Sequence, residues 1–108
     1  MKLSPLSIAA CSFLLALTAA AAQTPPPDAK LTDNPVFQKD CAKCHGKTAE
    51  GRHFGGPSLI TDQVTSTPAD DLRNIITNGK HHMPKYSGKL TPEEINTLVD
   101  QIKASNKK

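Results

Sequence analysis

Cys41-Ala42-Lys43-Cys44-His45-Gly46 places two thiols three positions apart, with an imidazole directly after the second. Four chemistries use two cysteines at that spacing. A thiol–disulfide pair works from a helix start that lowers the pKa of one thiol. Here Asn34, Pro35, Val36 and Phe37 predict a helix that ends at this stretch instead of beginning there. Zinc takes thiolates and imidazoles in a tetrahedral set, and His45, His53, His81 and His82 are available, but the adjacent Cys44 and His45 are awkward ligands for one ion. A structural disulfide leaves His45 without a part.

The fourth chemistry uses all three residues. Each thiol adds across one vinyl group of a haem, and the imidazole that follows lies under the ring and ligates its iron. C-x-x-C-H therefore reads as attachment of one haem c at Cys41 and Cys44, with His45 as an axial iron ligand. The composition agrees. The chain has no Trp, one Tyr and three Phe, and Phe13 lies in an apolar N-terminal segment. So short a chain has a marginal core of its own. A covalent haem supplies the missing hydrophobic centre.

That N-terminal segment sets the compartment. Lys2 precedes an apolar run from Leu6 to Ala22, and Ala20 and Ala22 stand before Gln23, the pattern of a cleaved secretory signal over residues 1–22. A retained anchor is the weaker reading, because the strongly apolar part is short and no basic stop-transfer flank follows it. Cys11 after Ile8-Ala9-Ala10 resembles a lipid-attachment box, but an apolar stretch would then remain on the mature chain. The expectation is a periplasmic or otherwise exported protein, soluble or loosely membrane-associated, with no stable transmembrane segment after cleavage. Residues 23–33, with Pro25-Pro26-Pro27, read as a flexible extended leader. Residues 34–104 form the domain and 105–108 a frayed basic tail. With 13 Lys and Arg against 10 Asp and Glu, and lysines spread along the chain, nucleic acid is not a partner; an acidic protein surface fits better.

Three helices are signed within the domain. Asn34 caps the first and Pro35 opens it. Residues 46–66 carry four glycines and a proline without sustained periodicity, a long loop with at most a short turn. The second helix is capped by Thr67 and opened by Pro68, shows Leu72, Ile75 and Ile76 on one face, and stops at Asn78-Gly79. Thr91, Pro92 and Glu94 start the last helix with a capping box, followed by Ile95, Leu98, Val99 and Ile102. Between these two helices lies the loop Lys80–Lys89. The fold class is all-α: three or more short helices with long loops wrapped around one covalently attached haem.

From Asn34 to Lys103 the chain resembles the small single-haem class I cytochromes c of the exported bacterial type. The resemblance rests on the helix ending in CxxCH, on Gly56-Pro57-Ser58-Leu59, on Met83-Pro84 and on the terminal helix. It implies that the Pro57 carbonyl receives the ring N–H of His45, that Leu59 covers the ring, and that Phe37 packs where the first and last helices cross. The glycine usual early in the first helix is missing; Asp33 and Asn34 stand there.

Iron held by His45 needs a second axial ligand from the opposite side of the ring. His81, His82 and Met83 lie far enough along the chain to reach it. Met83 is favoured, since a thioether stabilises ferrous iron and Pro84 stiffens the loop that presents it; the metal ligands are then His45 and Met83. Tyr86 is a candidate either to hydrogen-bond near a haem propionate or to fill the rim, and Arg52 and His53 are candidates for facing a propionate or for plain surface. Lys43, Lys47, Lys80, Lys85 and Lys89 flank the haem-bearing stretches and suit steering of acidic redox partners.

With both axial positions filled, no iron site is open to substrate. The expected function is one-electron transfer between ferric and ferrous haem c, linking periplasmic or membrane-associated redox partner proteins, with no enzymatic activity of its own. The alternatives are a haem enzyme or small-ligand sensor with a labile sixth position, and a subunit that feeds electrons into a larger dehydrogenase or oxidase.

Overall fold

The computed structural model describes Pro26 and residues 28–105. The predicted signal segment, the start of the leader and most of the basic tail lie outside the described residues. Among the described residues the secondary structure is helical, with two isolated bridges, Lys80 to Met83 and Ser87 to Leu90, in the late loop.

The first helical segment contains a π-helical turn, Phe37–Cys41, that runs directly into α1, Ala42–His45. The wide turn is visible in the bond from the Ala42 N–H to the Phe37 carbonyl. Asn34 caps this segment as its sequence position predicts: its side-chain oxygen accepts from the Val36 N–H at 2.9 Å. No sequence signal marks the π turn, which sits where the chain enters Cys41.

Two local expectations need correction. The stretch 46–66 is not loop throughout, because α2, Asp62–Ser66, forms at its end with the Thr61 side chain accepting from the Val64 N–H at 3.3 Å. Thr67 does not cap the next helix either. Its hydroxyl donates to the Gln63 carbonyl and closes α2, so Pro68 takes the cap position and α3 runs Ala69–Asn78. A hydroxyl between two closely spaced helices serves whichever end it reaches. The terminal helix α4, Pro92–Ala104, has the expected capping box, with Thr91 and Glu94 each bonded to the other's backbone N–H.

Helix α4 packs against α2, α3 and a 3-10 turn, Leu31–Asp33. That turn departs from the extended leader expected to residue 33, because Leu31 is buried in the common core. Phe37, Leu72, Ile76, Ile95, Leu98 and Val99 belong to the same buried cluster. Val36, Cys41, Leu59, Ile60, Val64 and Met83 lie at its margin, each only partly covered. Lys103 joins the layers by donating from Nζ to the Thr65 and Thr67 carbonyls, the C-terminal end of α2, where a cation is favourable.

Candidate haem site

The last four residues of the first helical segment, Ala42–His45, would leave four carbonyls without helical partners. The loop that follows fills every one. Gly46 N–H donates to Ala42, Gly51 N–H to His45 at 2.7 Å and Gly56 N–H to Cys44 at 2.6 Å. The Arg52 guanidinium takes the Lys43 carbonyl at 2.7 Å. Arg52, a candidate for the haem rim on sequence, is therefore the cap of the helix that carries the cysteines. Its charge also complements the helix C-terminus.

This folding back brings Pro57 over His45. His45 is 8% exposed, and its ring Nδ1 lies 2.7 Å from the Pro57 carbonyl oxygen. A carbonyl only accepts, so in the neutral ring Nδ1 carries the proton and Nε2 holds the free lone pair. That bond fixes ring orientation and raises the basicity of Nε2.

Gly55 and Gly56 are required by the same approach. A Cβ on Gly55 would lie 2.5 Å from the Cys44 carbonyl oxygen, and one on Gly56 would lie 2.7 Å from the His45 ring. In the sequence both are glycines of the 46–66 loop, and Gly56 also opens the Gly-Pro pair on which the family resemblance rests. The signal available was their adjacency immediately before Pro57, in a loop that had to return to its own helix.

Cys41 and Cys44 are free thiols, half-buried and exposed respectively. Burial first, and the neighbouring Asp40 second, push the Cys41 thiol up to about 11. A thiol–disulfide nucleophile needs the opposite shift. Among the described residues no three His, Cys, Asp or Glu side chains gather into a metal-binding group, which leaves the zinc reading without a donor set. The donors do fit a covalently held haem: two unpaired thiols on one helix, an imidazole with Nε2 free, and partly covered apolar side chains at the core margin.

Met83 is partly buried against the core. It closes a tight turn with Lys80, the two backbones exchanging bonds of 2.9 and 3.2 Å around His81 and His82. Both histidines are exposed. His53 is exposed as well and meets the Phe54 ring edge-on, with centroids 4.4 Å apart. Leu59 is half-buried and anchored by its N–H on the Ala49 carbonyl at 2.8 Å.

Tyr86 is buried, and its hydroxyl donates to the Asp40 carbonyl at 2.8 Å. This contact gives Tyr86 a tethering role that its place in the sequence does not reveal. It ties the loop bearing Met83 to the π turn that bears Cys41.

The family model for cytochrome c oxidase, cbb3-type, subunit III matches residues 32–102. Cytochrome c6 of Leptolyngbya boryana is 32% identical over 67 residues, covering 59% of this chain and 78% of that protein. The cbb3-type cytochrome c oxidase subunit FixP of Bradyrhizobium sp. (strain ORS 278) is 33% identical over 67 residues, covering 59% of this chain but only 23% of FixP. Among solved structures, the c-type cytochrome NirC superposes with a TM-score of 0.56 at 27% identity, over 68% of this chain and 85% of NirC. The chain belongs to the family that this model describes, and it is a small all-α class I cytochrome c, an electron-transfer protein with covalently bound haem c.

Proposed function

We propose that this cytochrome is a one-electron carrier of an exported compartment, with haem bound by thioethers at Cys41 and Cys44 and with His45 and Met83 as axial ligands. The carrying observation is the 2.7 Å bond between His45 Nδ1 and the Pro57 carbonyl, which leaves Nε2 free to hold an iron. The haem supplies a ferric–ferrous couple. The protein's own residues hold that couple still. Four capped carbonyls fix the helix beneath it, Gly55 and Gly56 let the loop close against Cys44 and His45, and Tyr86 ties the Met83 loop to Asp40.

With His45 and Met83 both holding the iron, no iron site would remain for a substrate, which supports a carrier reading over an enzyme. No helix among the described residues is long and apolar enough to cross a membrane, and the signal pattern of residues 1–22 supports export. Lys43, Lys47, Lys80, Lys85 and Lys89 are all exposed, and among the described residues none is ion-paired. They suit long-range steering of a partner with an acidic surface.

Similarity to FixP favours a second reading, a subunit that feeds electrons into a larger oxidase. An intact mass together with visible and near-infrared spectra in both redox states tests the proposal. The expected result is one haem added to the mature polypeptide and a low-spin spectrum with methionine ligation. A mass equal to the bare polypeptide, after expression with haem-attachment machinery, would overturn it.

A further inference from the structure

Phe54 is fully exposed, and among the described residues it is the one large apolar side chain that stands wholly in solvent. Its backbone has φ +63°, a left-handed conformation that bulky side chains rarely adopt. The left-handed conformation serves the turn from Arg52 to Gly55, but the exposed ring does not serve the fold. The ring touches the His53 ring and adds nothing to the core.

Its position is tightly defined nonetheless. The turn is closed by the Gly55 N–H on the Arg52 carbonyl, and the next residue, Gly56, is bonded to the Cys44 carbonyl. The turn that carries Phe54 is thus pinned to the backbone carbonyl of the exposed Cys44, the second thiol of the haem-attachment motif. Three cations share this loop and helix end: Lys43, Lys47 and Arg52, all exposed. Arg52 and Lys43 are joined by the guanidinium bond to the Lys43 carbonyl. Glu50 is the one carboxylate between residues 46 and 60, and Asp40 lies on the preceding turn.

We infer that the Phe54 turn is the docking contact for a redox protein whose contact face is apolar at its centre and acidic at its rim. An aromatic anchor surrounded by charged groups is the usual anatomy of a protein contact. The cationic surround selects acidic partners and speeds encounter. Burial of Phe54 seats the partner next to the attachment edge. One electron then leaves the reduced partner and converts ferric iron to ferrous, with no covalent bond formed or broken. This inference rests on the electron-carrier reading.

The test uses the holoprotein and two variants, Phe54→Asn and Phe54→Leu. Asparagine tolerates the left-handed conformation and removes the ring, so the turn survives. Leucine keeps an apolar side chain. Reduction of the ferric protein is followed by stopped flow with two donors. One is a reduced plant-type ferredoxin, an acidic one-electron protein; the other is hexaammineruthenium(II), a small complex that needs no docking face.

With ferredoxin, the wild-type rate should fall as salt rises, Phe54→Asn should be about tenfold slower, and Phe54→Leu should stay near wild type. The ruthenium rate and the visible spectrum should be the same in all three. An unchanged ferredoxin rate in Phe54→Asn, or a wild-type rate independent of salt, overturns the inference and leaves the carrier reading standing. A wild-type dimer that Phe54→Asn converts to a monomer, at unchanged ferredoxin rate, makes the occupant a second copy and also overturns it. Failure of the ruthenium complex to reduce wild type removes the carrier reading and this inference together.

Discussion

Asn34 Nδ2 donates to Gln101 Oε1 at 2.8 Å, joining residues 67 positions apart, and both side chains are 1% exposed. Asp33 and Asn34 stand where a glycine is usual early in the first helix of the family that the chain resembles. A glycine lets helices touch through their backbones. Here a polar clamp ties the start of the first helical segment to α4, with every hydrogen-bonding group used: Asn34 Oδ1 on the Val36 N–H, and Gln101 Nε2 on the Pro26 carbonyl at 3.3 Å.

Asn34→Ala should therefore destabilise the holoprotein by about 2 kcal/mol or more, since it removes a helix cap and strands the buried Gln101 oxygen. Gln101→Leu alone should be nearly as damaging. The double variant should be less destabilised than the sum, because each single change already breaks the shared bond. Urea unfolding of the four proteins measures this, and strict additivity would show the two residues to be uncoupled.

Gly56→Ala should act on the haem site through packing. Its new methyl would lie 2.7 Å from the His45 ring, so the ring or the loop must move and the bond to Pro57 is weakened. The expected loss is about 2 kcal/mol of stability, typical of overpacking a tight site. A lowered proximal-ligand basicity should accompany it as a shifted midpoint potential. Thermal unfolding and a redox titration report the two effects separately.

Met83→Ala should open the sixth iron position. The ferric protein should then bind small exogenous ligands such as azide and show a lower potential, as expected when a thioether is lost. His81→Ala and His82→Ala should leave the spectrum as it was, since both side chains are exposed. If a histidine variant abolished the low-spin spectrum and Met83→Ala did not, the axial ligand would be that histidine.

Tyr86→Phe should loosen the Met83 loop by removing the bond to the Asp40 carbonyl, at about 1 kcal/mol near neutral pH. Burial raises the phenol above its ordinary value of 10.0. In the unfolded chain it ionises near 10, so above that pH the unfolded state holds fewer protons than the folded one and stability falls as pH rises. The advantage of wild type over Tyr86→Phe should be complete below about pH 9 and shrink through the range above 10. Denaturant unfolding of both proteins at pH 7, 9 and 10.5 checks the sign.

Features governed by residues three or four positions apart were legible in the sequence. CxxCH, the Thr91–Glu94 capping box, the Asn34 cap and the apolar stripe of α4 depend on helical spacing alone, and so could be read without a partner. Thr67 departs from its expected capping role at that same local level, because two helix ends compete for one hydroxyl. The remaining features come from segments far apart in the chain. The Asn34–Gln101 clamp, the Tyr86–Asp40 tie and the closure of Gly55 and Gly56 on the Cys44–His45 backbone need the loops folded back on the first helix. The exposure of Phe54 belongs with them. An apolar residue in a glycine-rich loop carries no mark of inside or outside, and only the three-dimensional path of that loop, pinned carbonyl by carbonyl to the end of α1, places it in water.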